Sequence, residues 1–146
     1  MNQTQTSTGD SSAPASAALA AGRIAEIGDG SVVLAIPGTD YRLRLGLAAG
    51  ARAPAVGAKA LGRIRLVARR IDPAPSGGRY IEPVEGPPRR VQGRVRAIDE
   101  VNNEIVVHAG VPVCARVGDA RQRAGQFAPD QIVSFDVERG AVFEPA

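Results

Sequence analysis

The stretch GRIAEIGDGSVVLAI at residues 22–36 decides how this chain folds, because its pattern returns as GRVRAIDEVNNEIVVHA at residues 93–109. In both copies a Gly-Arg pair opens a strand pattern, a polar turn follows, and a β-branched run comes next. Each copy then passes through a Gly-containing turn into an alternating strand, at residues 41–45 and 111–117. Agreement in order and spacing over this length is typical of an internal repeat. The sequence therefore predicts two homologous units.

The likeness between the two units extends to their later strands. After a longer loop rich in Ala, Gly and Arg, each unit has a fourth strand pattern, at residues 61–67 and 131–137. The units also close alike, with Tyr-Ile-Glu-Pro at 80–83 and Val-Phe-Glu-Pro at 142–145. We therefore expect these closing segments to be equivalent in the two units.

Apolar residues alternate with polar ones along several of these segments, which is the pattern of half-buried strands. Val32, Leu34 and Ile36 fall on one face of the second strand, because successive side chains of a strand point to opposite sides. No long segment carries the 3.6-residue stripe of an amphipathic helix. Three sequential strands, followed by two more after a longer connection, predict an all-β chain with two tandem five-stranded small barrels.

The strand pattern also resembles a known superfamily. The order Gly-Arg-Val-x-x-Ile at 93–98, a turn, Ile-Val-Val at 105–107, an alternating strand and Gln-Ile-Val-Ser-Phe-Asp-Val at 131–137 resembles the OB-fold superfamily. The tandem arrangement is similar to paired molybdate-binding barrel domains. This resemblance implies OB-like barrels. The Ser and Lys-Ala-Ser segments expected of a molybdate-binding pair are absent, so the resemblance implies no such ligand.

Composition divides the chain into four segments. Residues 1–21 are mainly Ser, Thr, Gln and Ala with one charged side chain, and such a segment buries too little apolar surface to fold, so a disordered tail is predicted. The first barrel unit is expected at 22–83 and the second at 92–146. Residues 84–91 form a Pro-rich linker between them, which favours an extended, stiff connector that restricts the angle between the units.

The composition excludes several classes of protein. One Cys rules out an intrachain disulfide and a multi-cysteine zinc site, and one His rules out most catalytic and metal constellations. We therefore expect a non-enzymatic protein without a metal or other cofactor. No apolar run approaches the roughly 18 residues of a membrane span, and the N-terminus lacks the positive charge of a signal peptide. The sequence thus predicts a cytoplasmic protein with no membrane partner.

Arginine is the most suggestive residue type in the chain, because it supplies all but one of the 18 basic side chains. Residues 22–90 hold 12 basic and 6 acidic side chains, whereas residues 91–146 hold 6 and 8. Guanidinium groups bind phosphate oxygens in pairs and stack on bases, so an Arg-bearing strand face in the first unit predicts nucleic-acid binding. The candidate residues, including two from a loop of the second unit, are Arg42, Arg44, Arg63, Arg65, Arg69, Arg70, Arg121 and Arg123.

Two other interpretations of the arginines remain open at this point. Alternating Arg on a strand is the common form of a solvated outer face, and single-strand binders usually add aromatic side chains to the basic groove. The charge difference between the two units is also suited to docking within or between chains. The second hypothesis is therefore a protein-assembly or adaptor module that uses the surface between units or between subunits.

Overall fold

Eleven strands form one mixed sheet in the computed structural model, which describes residues 15–146 of the chain. The prediction of an all-β protein is confirmed for this part of the chain, whose only helical elements are two short 3-10 turns, at Ala15–Ala18 and Ala124–Gln126. The strands are β1 (Ala20–Gly28), β2 (Ser31–Ala35), β3 (Arg42–Leu47), β4 (Lys59–Pro73), β5 (Tyr80–Glu82), β6 (Glu85–Gly86), β7 (Arg90–Asp99), β8 (Glu104–His108), β9 (Pro112–Val117), β10 (Ile132–Val137) and β11 (Val142–Pro145).

The start of the described chain overlaps the predicted tail. Residues 1–14 of that tail lie outside the described residues, but Ala15–Ala18 form a 3-10 turn and β1 begins at Ala20. The side chain of Ala20 is fully buried. Ordered structure thus starts ahead of residue 22. The composition of this segment resembles that of a tail, but a small Ala side chain can still fill a close-packed position.

Two three-stranded antiparallel meanders, β1–β2–β3 and β7–β8–β9, share one register. Each has a β-bulge at the corresponding place, between Ile24 and Glu26 in β1 and between Val95 and Ala97 in β7. The second and third strands of each meander pair over five residues without a shift. A bulge bends a strand and increases its twist, so the two meanders curve in the same way.

The long strand β4 joins the two meanders. Its first part pairs with β1 and β11, and its second part pairs with β9 in parallel and with β10 in antiparallel orientation. In turn β11, the last strand, pairs in parallel with β3 of the first meander. The two predicted units therefore exchange strands, which their separate sequence boundaries at 22–83 and 92–146 did not indicate.

The closing segments and the linker differ from expectation. β5 pairs with β7, whereas β11 pairs with β3 and β4, so residues 80–83 and 142–145 do not take equivalent places. Part of the predicted linker also belongs to the sheet, because β6 pairs with β3 and β7 already begins at Arg90. The reason is that a Pro-rich segment can still use the backbone groups of its other residues for pairing.

One hydrophobic core contains side chains from both meanders, among them Leu34, Leu43, Ile105 and Val107, which are all fully buried. A buried hydroxyl group ties the halves together. Tyr41 Oη donates to the carbonyl oxygen of Ala109 at 2.7 Å and accepts from the backbone N–H of Ile81 at 3.0 Å. Within residues 15–146, no helix has the length and apolar character that crossing a bilayer requires.

Candidate nucleic-acid interface

Arg42 and Arg44 lie on the exposed face of β3, because Leu43 and Leu45 on the alternate face are buried in the core. Both arginines are near the carboxylate of Glu26, with nitrogen–oxygen distances of 3.7 and 3.9 Å. Exposed pairs at such distances contribute little free energy. The two side chains are therefore only loosely neutralised.

Arg65 is engaged much more closely. Its Nη1 lies 2.7 Å from Glu104 Oε2, and its Nε donates to Glu144 Oε1 at 3.0 Å. The hydrogen bond that Arg65 donates to Glu144 is the main reason that the pKa of Arg65 is raised. The neighbouring Arg63 is half-buried and forms no ion pair with a described residue. Arg65 is thus a structural cation held between two carboxylates, not part of an open binding face.

Three further candidates lie near the end of β4, because the side chain of Gln122 bonds both backbone groups of Ile71 and so brings the loop with Arg121 and Arg123 next to Arg70. Arg70 pairs with Asp72 at 3.0 Å, and Arg121 pairs with Asp119 at 3.1 Å. The hydrogen bond from Arg121 lowers the pKa of Asp119. Arg123 precedes the 3-10 turn at Ala124–Gln126, where its backbone N–H donates to the side chain of Gln126. The structure therefore does not gather the eight candidate arginines into one patch.

A groove of about 1150 Å³ lies between the β2–β3 ladder, the β10–β11 connection and the segment that leads into β7. Two of the predicted arginines, Arg44 and Arg69, line it. Three further arginines also line it, and the only carboxylates among the lining residues are those of Glu82 and Asp136. We call this cavity the Arg groove, and its basic lining residues are Arg44, Arg69, Arg89, Arg90 and Arg139.

Local structure explains why these arginines converge. Arg69 lies where the register of β4 against β10 shifts, opposite the segment between Phe135 and Val137. Arg139 lies in the turn between β10 and β11, next to Gly140, whose φ of +104° suits a tight turn. Arg89 and Arg90 follow two consecutive prolines directly before or at the start of β7. With Arg44 on β3, the five arginines come from four different chain segments.

The charges of the Arg groove are only partly balanced. Arg90 donates to Asp136 Oδ1 at 2.8 Å, and this hydrogen bond is the main cause of its raised pKa. Arg69, Arg89 and Arg139, by contrast, form no ion pair with any residue of the described chain. Three prolines and several aliphatic residues also line the groove. Clefts that carry one sign of charge on low-dielectric walls concentrate the potential and attract counter-charged ligands.

Arg89, Arg90 and Arg139 were not among the predicted site residues. The only local signal for two of them is the Pro-Pro-Arg-Arg run at 87–90. Nothing in the sequence brings Arg139 to that run, because their proximity follows from the path of the chain between β10 and β11.

The two classical reactive side chains are placed unfavourably for chemistry. Cys114 is buried in β9, and burial is the main reason that its pKa is raised to about 11. The pKa of His108 is lowered, chiefly by burial and further by Arg79 and Arg96. Among residues 15–146, no group of three or more His, Cys, Asp or Glu side chains is placed to hold a metal ion. The chemistry of the Arg groove, by contrast, is suited to an anionic ligand.

Comparisons with protein-family models, with curated proteins and with solved structures found no match to this chain. Its function is therefore inferred from the chemistry of its own residues.

Proposed function

We propose that this protein is a non-enzymatic module that binds nucleic acid through the Arg groove. The observation that carries the proposal is the set of three arginines, Arg69, Arg89 and Arg139, that line one cavity without an ion-pair partner in the described chain. Guanidinium groups left together without carboxylates repel one another, and phosphate oxygens relieve this repulsion through paired hydrogen bonds.

The ligand we propose is a single strand recognised by its phosphates. The lining of the groove contains no aromatic residue, so it lacks the stacking platform on which many single-strand binders place bases. Its volume of about 1150 Å³ is slightly above the range of small-molecule sites, which suits a short run of a flexible strand better than a rigid duplex. Binding is then independent of base sequence and decreases steeply with salt.

We also propose that the sheet forms two OB-like barrels that arose from one repeated unit, with β4 and β11 each contributing to the barrel of the other half. The pairings β1–β2, β2–β3, β3–β11, β11–β4 and β4–β1 support one ring. The pairings β7–β8, β8–β9, β9–β4, β4–β10 and β10–β7 support the other. Each ring then includes a strand from the other half. The Arg groove lies where these halves meet.

The experiment compares two triple variants with matched loss of charge. R69A/R89A/R139A removes the three unpaired arginines of the groove, and R70A/R121A/R123A removes three arginines outside it. Fluorescence anisotropy at low salt measures binding to a thymidine oligonucleotide of about ten nucleotides, a length within the range of OB-fold sites. We expect at least a tenfold loss of affinity for the groove variant and little change for the control variant.

Other results would point elsewhere. Equal losses for both variants would indicate attraction by net charge without a site. If the wild-type protein does not bind the oligonucleotide but forms oligomers in solution, the assembly or adaptor hypothesis replaces nucleic-acid binding. Circular dichroism of each variant checks that the fold is retained.

A further inference from the structure

The Arg groove has a counterpart in the second meander, which the strand register identifies. Ser31 of the groove pairs with Gly46 in the first meander, just as Glu104 pairs with Arg116 in the second. In the same ladders Arg44 lies opposite Val33, and Cys114 lies opposite Val106. Ser31 and Arg44 of the groove therefore correspond to Glu104 and Cys114.

The exchanged strands extend this correspondence. Phe143 of β11 pairs in parallel with Leu47 at the end of β3, and Ala68 of β4 pairs in parallel with Val117 at the end of β9. Phe143 is followed by Glu144, and Ala68 is followed by Arg69. Glu144, which lies at the counterpart, therefore corresponds to Arg69, which lines the groove. The counterpart position thus carries a carboxylate where the groove carries an unpaired arginine.

Ion pairs within the chain occupy the counterpart of the Arg groove. Arg65 lies between Glu104 and Glu144, at 2.7 and 3.0 Å. The thiol of Cys114 contacts the carbonyl oxygen of Ala18 at 3.8 Å, so the N-terminal 3-10 turn packs over the same place. Two positions that the register makes equivalent therefore differ in charge balance. At the counterpart, carboxylates of the chain itself neutralise Arg65, whereas the Arg groove holds arginines without ion-pair partners in the described chain.

We propose that the chain has two equivalent positions for a phosphate-bearing strand, of which only the Arg groove is open, and that Glu104 and Glu144 are the internal anions that occupy the second. This inference rests on the proposed function and specifies the stoichiometry of nucleic-acid binding. One strand binds per chain. Carboxylates bind a guanidinium group with the same geometry as phosphate oxygens do, so removal of both carboxylates frees Arg65 for an external anion.

Isothermal titration calorimetry with the same thymidine oligonucleotide tests this inference. The wild-type protein is expected to bind one strand per chain. E104Q/E144Q removes the two internal anions and is expected to bind a second strand more weakly than the first. The matched control, E82Q/D136N, removes two carboxylates from the Arg groove instead, and we expect it to bind more tightly while the stoichiometry stays at one.

The outcomes separate this inference from the proposed function. Two strands on the wild-type protein, or a single strand on E104Q/E144Q, would overturn the closed counterpart while leaving groove binding intact. Binding by E104Q/E144Q alone would support the counterpart and overturn groove binding, and no binding by either protein would overturn both.

A second measurement on the wild-type protein keeps the test independent of variant folding. In ¹⁵N-edited NMR spectra, the oligonucleotide is expected to shift the amide resonances of residues 44–46 and 139–142. Those of residues 114–116, at the counterpart, are expected to stay in place. Comparable shifts in both regions would contradict a closed counterpart.

Discussion

At the scale of single residues, the polar groups of this protein divide into those that are satisfied within the chain and those that are not. The Tyr41 hydroxyl and the Arg65 guanidinium each have two partners. The arginines at 69, 89 and 139 have no ion-pair partner among the described residues. Because like charges that line one groove raise its positive potential, the groove is suited to an anionic ligand.

Tyr41 supplies a stability prediction at this scale. The substitution Tyr41→Phe leaves the carbonyl of Ala109 and the N–H of Ile81 buried without this partner, so we expect a loss of about 1–3 kcal/mol in the free energy of unfolding. Urea denaturation measures it. Tyr80→Phe is the control, because Tyr80 is only half-buried and the hydrogen bond from its hydroxyl to Gln92 is long, at 3.3 Å. Equal stability of the two variants would show that the buried hydroxyl does not tie the halves together.

At the scale of elements, the shared strand β4 determines how the molecule is built. Gly62 lies in β4 between Ala20 of β1 and Pro145 of β11, its partners on the two sides. A Cβ atom at this glycine would overlap the carbonyl oxygen of Glu144 and the ring of Phe143. Glycine is therefore required because the neighbouring strand approaches closely, and not because of a turn.

The substitution Gly62→Ala tests this close approach. We expect it to destabilise the protein by about 1–3 kcal/mol through overpacking, with a lower Tm as the readout. Gly78→Ala is the matched control, since nothing lies within 4 Å of a Cβ built there and its φ is not in the left-handed region. An unchanged Tm for Gly62→Ala would mean that β11 does not lie against β4 as described.

At the scale of the whole molecule, strand exchange makes each half depend on the other. A chain divided between Gly77 and Gly78, both exposed, leaves β4 on one fragment and β11 on the other. We expect neither fragment to fold alone, because each lacks the strand that pairs in parallel with the third strand of its meander. An equimolar mixture is expected to recover the circular dichroism spectrum of the intact chain. Native-like spectra for the separate fragments would contradict the exchange.

The sequence predicts some of this organisation and not the rest, for a physical reason. Alternation of apolar residues is local, so the strand face that carries Val32, Leu34 and Ile36 could be inferred directly. The parallel pairings of β4 with β9 and of β11 with β3 join segments far apart in the chain, and no local pattern encodes them. The Arg groove depends on those pairings. For this reason only Arg44 and Arg69 of its five arginines were among the predicted site residues.

The most direct test of the central claim is the salt dependence of oligonucleotide binding by the wild-type protein and by R69A/R89A/R139A. If three groove arginines each neutralise one phosphate of a single strand, the logarithm of the binding constant falls with the logarithm of salt concentration with a slope of about −2. The triple variant is expected to lose most of that slope along with its affinity, whereas R70A/R121A/R123A keeps the wild-type slope. An unchanged slope in the groove variant would contradict the claim that the Arg groove binds nucleic acid.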